Sequence, residues 1–174
     1  MSEKAILFDS SRCTACRGCQ VACKMENGTA LGSDRTKVRA VGPTGTYPNL
    51  EMYFLPTMCQ QCADAPCVHV CPTGASYRDG NNVVLIDREK CIGCKYCMAA
   101  CPYQVRVRNE ETGAVDKCRF CTLSSYENGT KMCSCVEACL TGARIFGDLD
   151  DPASDISKEI AATNAQPIAG DLTK

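Results

Sequence analysis

Four groups of cysteines, opening at positions 13, 59, 91 and 118, decide what this chain can fold into. Two of them, Cys13, Cys16, Cys19, Cys23 and Cys91, Cys94, Cys97, Cys101, share the spacing C-x2-C-x2-C-x3-C. Cys59, Cys62, Cys67 and Cys71 widen the middle gap to C-x2-C-x4-C-x3-C. The last group opens with Cys118 and Cys121 and closes with Cys139; its third member is Cys133 or Cys135, across the polar loop LSSYENGTKM. A short pattern that recurs in this way marks internal repetition. Seventeen cysteines in 174 residues is a density that goes with a disulfide framework or with bound metal.

The rest of the sequence speaks against disulfides. The opening MSEKAILFDSSRC holds one lysine, no sustained apolar run and no twin arginine, so no export signal of its own is expected. No stretch approaches the roughly 20 apolar residues that span a bilayer; even VVLI is bounded by Asn82 and Asp87, so no direct membrane span is expected. The net charge is -1, with no block of lysine or arginine, which leaves a nucleic-acid partner without support. Aromatic residues make up 6% of the chain and tryptophan is absent, so an ordinary apolar core would be thin.

The spacing suits iron–sulfur chemistry. A C-x2-C-x2-C loop wraps three iron corners of a cubane [4Fe-4S] cluster with its backbone amides turned toward the sulfides, and the fourth corner needs a more distant cysteine. In the bacterial ferredoxin arrangement that fourth cysteine serves the neighbouring cluster, so motifs work in crossed pairs. Groups two and three both end in Cys-Pro, at Pro72 and Pro102, and form one pair. Crossing them predicts one cluster on Cys71, Cys91, Cys94 and Cys97 and another on Cys59, Cys62, Cys67 and Cys101. Groups one and four then predict a third on Cys13, Cys16, Cys19 and Cys139, and a fourth on Cys23, Cys118, Cys121 and either Cys133 or Cys135. Cys135 is favoured, because CVEACLTGA repeats CVHVCPTGA at 67–75, which leaves Cys133 a spare thiol. Paired C-x2-C motifs also build all-thiolate zinc sites, but zinc has no use for the third cysteine or the Cys-Pro.

Other chemistry is sparse. His69, the lone histidine, lies inside a group that already has four cysteines and reads as a surface or hydrogen-bonding neighbour. Arg35, Arg39 and Arg106 read as solvated side chains, with electrostatic tuning of cluster potentials as the alternative. There is no P-loop, no G-x-G-x-x-G and no nucleophile with its base, so catalysis is expected elsewhere.

Between the groups, AILFD, TKVRAV, EMYFL and VVLID read as short strands. Segments such as VACK, MAAC and VEAC favour short helices. The expected class is α+β, loop-rich, with two ferredoxin-like dicluster modules: residues 1–58 with 110–147 form the outer one and 59–109 the inserted one. Residues 148–174 lack cysteine and read as a partner-binding or mobile tail outside the core, with an amphipathic helix starting near Pro152.

The order of the four groups, with CQQCADAPCVHVCPTGAS, DREKCIGCKYCMAACPYQVR, DKCRFC and the closing FGDLDDP, resembles the four-cluster beta subunits of the dimethyl sulfoxide reductase family over roughly residues 4–150. Leu140 departs from the proline usual after the last cysteine. The resemblance implies four [4Fe-4S] clusters and single-electron relay to or from a large molybdenum- or tungsten-bis-pterin catalytic subunit. It leaves room for a membrane-anchor subunit or soluble redox carrier as a second partner. The chain would then be cytoplasmic, or exported with a signal-bearing large subunit. The alternative is a standalone polyferredoxin, or a hydrogenase or formate-hydrogenlyase component.

Overall fold

The computed structural model describes residues 3–121 and 133–168, so the loop LSSYENGTKM lies outside the described residues. Strand β1 (Lys4–Phe8) leads through the first cysteine loop into helix α1 (Gly18–Asn27). The hairpin β2 (Thr36–Thr46) and β3 (Asn49–Met58) follows, then helix α2 (Pro66–His69) and the hairpin β4 (Ser76–Arg78) and β5 (Val84–Ile86). Helix α3 (Tyr96–Ala99), the hairpin β6 (Val107–Arg108) and β7 (Val115–Asp116), and helix α4 (Ser134–Glu137) come next. Strand β8 (Arg144–Asp148) and helix α5 (Asp155–Thr163) complete the order. This is a small mixed α+β arrangement, loop-rich as expected.

All four predicted strands are present, with β2 and β3 running well beyond TKVRAV and EMYFL. Their β-branched and aromatic residues pair in antiparallel register, Val38 opposite Pro56 and Ala40 opposite Phe54. Short apolar runs gave too little signal for β4, β6, β7 and β8. The most consequential of these is β8, which pairs antiparallel with β1, Ile6 opposite Phe146, and so ties the two ends of the described fold together. Helix α1 packs against α4, and α2 against α3. The β6–β7 hairpin straddles the boundary expected at 109/110, with one strand on each side.

Among the described residues, nine of the twenty-two buried apolar ones are cysteines, so the interior is built as much from thiols as from hydrocarbon. The main cluster gathers Cys19, Cys59, Cys118, Cys121, Cys133 and Cys135 around Val83, Val105, Phe120 and Val136. Phe120 meets Phe146 of β8 edge to face at 5.6 Å. A second, smaller cluster holds Cys67 and Cys97 with Val84 and Val115.

The tail differs from the expectation in its first half. Helix α5 is capped by Ser154, whose hydroxyl accepts from the backbone of Ser157, and it packs on β8 and β1. Its Ile156 is fully buried. Gly147 makes room for it: a Cβ there would sit 2.6 Å from Ile156 Cγ2. The core thus extends into a segment whose small and acidic residues read as solvated.

Candidate metal centres

The cysteine loops share a backbone conformation that their spacing alone does not spell out. The residue two past the first cysteine is left-handed in every group: Ala15, Gln61, Gly93 and Phe120. In groups one and three the residue before the helix, Arg17 or Lys95, is left-handed as well. Such conformations cost non-glycine residues roughly 1–2 kcal/mol each. Alternating right- and left-handed residues turn successive N–H groups into a concavity that receives anionic groups, iron–sulfur clusters among them.

A second regularity follows at the helix. Cys19, Cys67, Cys97 and Cys135 are each the second residue of their helices α1, α2, α3 and α4. Cys133 occupies the cap position before α4, as Ala65 does before α2. The closing turn also repeats. The backbone N–H groups of Gly74, Gln104 and Gly142 donate to the carbonyls of Cys71, Cys101 and Cys139, and all three donors are left-handed. Leu140, 92% exposed, occupies the place of Pro72 and Pro102 without altering that turn.

Two cavities show what the folding brings together. One is lined by Cys13, Cys16 and Cys19 from the first loop and by Cys139 from the far end of the chain. The other is lined by Cys23, Cys118, Cys121, Cys133 and Cys135. In the remaining half, the charges of Cys59 and Cys101 act on Cys67. Cys97 and Cys91 pack in the smaller core cluster with Cys62 alongside. Cys71 lies outside both cavities, its Sγ accepting from Ser76 N at 3.4 Å, and Cys91 Sγ accepts from Val115 N at 3.5 Å.

None of the seventeen cysteines is in a disulfide. Burial pushes up the thiols of Cys19, Cys67, Cys118 and Cys135, and that of Cys23 to about 12. Among the buried cysteines, Cys121 is the one shifted down. The hydrogen bond from Cys133 holds it at about 6, and the same bond, with burial, pushes Cys133 up. Buried thiols on this scale need metal or positive charge before they ionise.

Positive charge is present. Arg35, Arg106, Lys117 and Arg144 are all buried. Arg35 pairs with Asp116 at 2.8 Å. For Arg106, Lys117 and Arg144 no carboxylate lies within ion-pair distance among the described residues. Instead, Arg106 Nη2 donates to Cys67 Sγ at 2.7 Å, Arg144 Nη1 approaches Cys135 Sγ at 3.5 Å, and Lys117 Nζ donates to the carbonyls of Val84 and Cys118. A buried ion costs several kcal/mol unless something opposes its charge. Anionic clusters on all-thiolate ligands fit that need, and they fit loops with left-handed residues at these places. Among the described residues, no three histidine, cysteine or acidic side chains are arranged to hold a single metal ion.

The sequence expectation for Arg35 and Arg106 was therefore incorrect: both are buried, because the charges that compensate them come from residues distant in sequence. Arg39 is exposed as expected. His69 is also exposed, its Nε2 2.7 Å from Asp64 Oδ1. Arg144, Lys117 and Gln61 escaped notice altogether. Gln61 joins two segments, donating to Cys118 O at 3.0 Å and accepting from Val84 N at 2.9 Å. A signal for two buried cations did exist, since Arg106 and Arg144 each stand five residues after the last cysteine of their groups.

Comparison with known proteins agrees with the geometry. A family model described as a 4Fe-4S dicluster domain matches residues 50–149. The chain is 44% identical over 151 residues to the thiosulfate reductase electron transfer subunit PhsB of Salmonella typhi, covering 86% of this chain and 78% of that one. It is 40% identical over 190 residues to a Halobacterium salinarum protein named as an iron-sulfur subunit of dimethyl sulfoxide reductase, covering 92% and 72%. It is 42% identical over 155 residues to a subunit of tetrathionate reductase from Salmonella typhimurium, covering 88% and 61%.

Proposed function

The chain belongs to the iron–sulfur electron-transfer subunits of the dimethyl sulfoxide reductase family, and from that premise we propose that it relays single electrons through four [4Fe-4S] clusters between a molybdenum- or tungsten-bis-pterin catalytic subunit and an external donor or acceptor. Each cluster, when bound, supplies a one-electron store with no open iron site for substrate.

The observation that carries this reading is the crossed lining of the two cavities. Cys139 joins the first loop and Cys23 joins the last, which supports ligand sets of Cys13, Cys16, Cys19, Cys139 and of Cys23, Cys118, Cys121, Cys135. The helix position shared with Cys19, Cys67 and Cys97 supports Cys135 over Cys133. The charges of Cys59 and Cys101 on Cys67 support a third set, Cys59, Cys62, Cys67, Cys101. The matching loops of groups one and three support the last, Cys71, Cys91, Cys94, Cys97. Packing of α1 on α4 and of α2 on α3 supports two ferredoxin-like dicluster modules.

A linear route has support from the same contacts. Arg106 lies between Cys97 and Cys67, the charge of Cys59 acts on Cys118, and that of Cys19 acts on Cys135. Cys94 and Cys16, the two exposed cysteines, stand at the ends of that order. The thiolates hold each store, and Cys59, Cys67, Cys23, Cys118, Cys121 and Cys135, in the middle of the route, are buried. No helix among the described residues is long and apolar enough to cross a membrane, so a membrane partner would supply its own span. The chain would work in the cytoplasm, or outside it if exported with a signal-bearing large subunit.

The test is anaerobic purification of the chain with its natural partners. Molybdenum or tungsten at one per complex, together with iron, is the expected result. Iron with neither heavy metal would reject the pterin partner in favour of a polyferredoxin or hydrogenase component.

A further inference from the structure

The relay makes no use of the chemistry of two arginines that hold matching places in the repeat. Arg106 follows Cys101 by five residues and Arg144 follows Cys139 by five. Both are buried, each at 4% exposure. Arg106 Nη2 reaches Cys67 Sγ at 2.7 Å and Ser76 Oγ at 2.9 Å. The charge of Cys97 acts on the same guanidinium. Arg144 Nη1 lies 3.5 Å from Cys135 Sγ, and its Nη2 donates to Thr36 Oγ1 at 3.0 Å. Its charge also acts on Cys19 and Cys23.

In the proposed ligand sets, Cys67 and Cys97 serve different clusters, and so do Cys135 and Cys19. Each guanidinium therefore stands between two sets, one pair in each half of the chain. Arginine keeps its charge at any accessible pH. In a low-dielectric interior that charge acts strongly on its neighbours. Adding one electron to a cluster adds one negative charge, so a fixed cation beside the ligands favours the reduced state. Arg106 also has a buried Nη1 without a hydrogen-bond partner among the described residues, a donor free to face cluster sulfur. The plainer account is structural: each arginine ties down a hydroxyl, Ser76 or Thr36. That account explains the Nη2 bonds to oxygen but not why both guanidinium groups also meet a ligand sulfur.

We propose that Arg106 and Arg144 are paired positioning residues for electron transfer, each raising the reduction potentials of the two clusters it lies between. Arg106 acts on the sets of Cys59, Cys62, Cys67, Cys101 and of Cys71, Cys91, Cys94, Cys97. Arg144 acts on the sets of Cys23, Cys118, Cys121, Cys135 and of Cys13, Cys16, Cys19, Cys139. The inference rests on the four-cluster reading and adds to it a division of the relay into two electrostatically tuned halves.

The test uses the full chain with its catalytic partner, purified anaerobically as wild type, R106M, R106K, R144M and R144K. Iron content is measured alongside a redox titration followed by electron paramagnetic resonance. With iron retained, R106M is expected to lower two of the four midpoint potentials and leave the other two in place. The expected loss is about tenfold in each one-electron reduction constant, equivalent to about 59 mV. R144M lowers the complementary two, and the lysine variants, which keep the charge, shift the same pairs less. If the methionine variants lose iron, the lysine variants decide: the same pairing of smaller shifts upholds the inference. Retained iron with unshifted potentials, or a shift confined to one cluster, overturns it. Absence of iron from the wild-type chain would instead reject the four-cluster reading beneath it.

Discussion

The loops of cysteine groups one and three repeat each other, whereas those of groups two and four do not. In the first pair the same two positions are left-handed, Ala15 and Arg17 in one and Gly93 and Lys95 in the other. Their second cysteines, Cys16 and Cys94, are exposed. In the second pair the stretch between the second cysteine and the helical one is longer, four residues in group two and thirteen in group four against two in the compact loops. There the loop is held from outside: Gln61 bonds across to Cys118 and Val84, and Cys118, Cys121 and Cys135 are buried. A compact spacing lets the loop shape itself and sit at the surface. A stretched spacing needs tertiary support, which Gln61 supplies to group two and burial of Cys118, Cys121 and Cys135 to group four.

The comparison breaks most sharply if a buried ligand and an exposed one cost the same. Cys135→Ser should lose one of four clusters, about four irons of about sixteen, and should unfold the surrounding core, since ligation supplies much of the folding free energy in metal-dependent domains. Cys94→Ser, at the surface, should lose one cluster and retain more of the fold. Iron analysis with far-ultraviolet circular dichroism separates the two, and equal unfolding would contradict the distinction between loops.

Smaller effects sharpen it. In Gly93→Ala the new Cβ would meet Gly113 O at 2.6 Å from a left-handed backbone, for a loss of about 2–3 kcal/mol read from the thermal midpoint. Ala15 takes the same conformation in group one, so the expected contrast lies in the neighbour rather than the loop. Gln61→Ala should cost about 1–3 kcal/mol by leaving Val84 N unpaired and Cys118 O with Lys117 as its one side-chain donor. An unchanged melting midpoint would mean group two shapes itself after all. Cys133→Ser should have the least effect, below about 1.5 kcal/mol with four clusters retained, because serine can still donate to Phe120 O. Loss of a cluster in that variant would move the ligand from Cys135 to Cys133.

How much was legible follows the same division. The spacing led to an expected crossing of Cys23 with group four and of Cys139 with group one, from the geometry of a loop that reaches only three corners of a cubane, and the cavity linings bring the same residues together. CVEACLTGA could be read as a repeat because a four-residue helix and its closing turn are local. Gln61 could not, and the matching places of Arg106 and Arg144 gave their repetition but not their contacts, because each is defined by a partner at least 9 residues away, at Cys118, Cys67 or Cys135. Strand β8 and the burial of Ile156 escaped for a related reason. Each depends on the opposite end of the chain or on the missing Cβ of Gly147, and neither leaves a periodic trace.

The central claim is that sixteen of the seventeen cysteines hold four cubane clusters. It is tested most directly by iron and acid-labile sulfide in the anaerobically purified chain, with spins counted after full reduction. The prediction is about sixteen irons and sixteen sulfides per chain and about four spins. About eight irons, or zinc in place of iron, would contradict it.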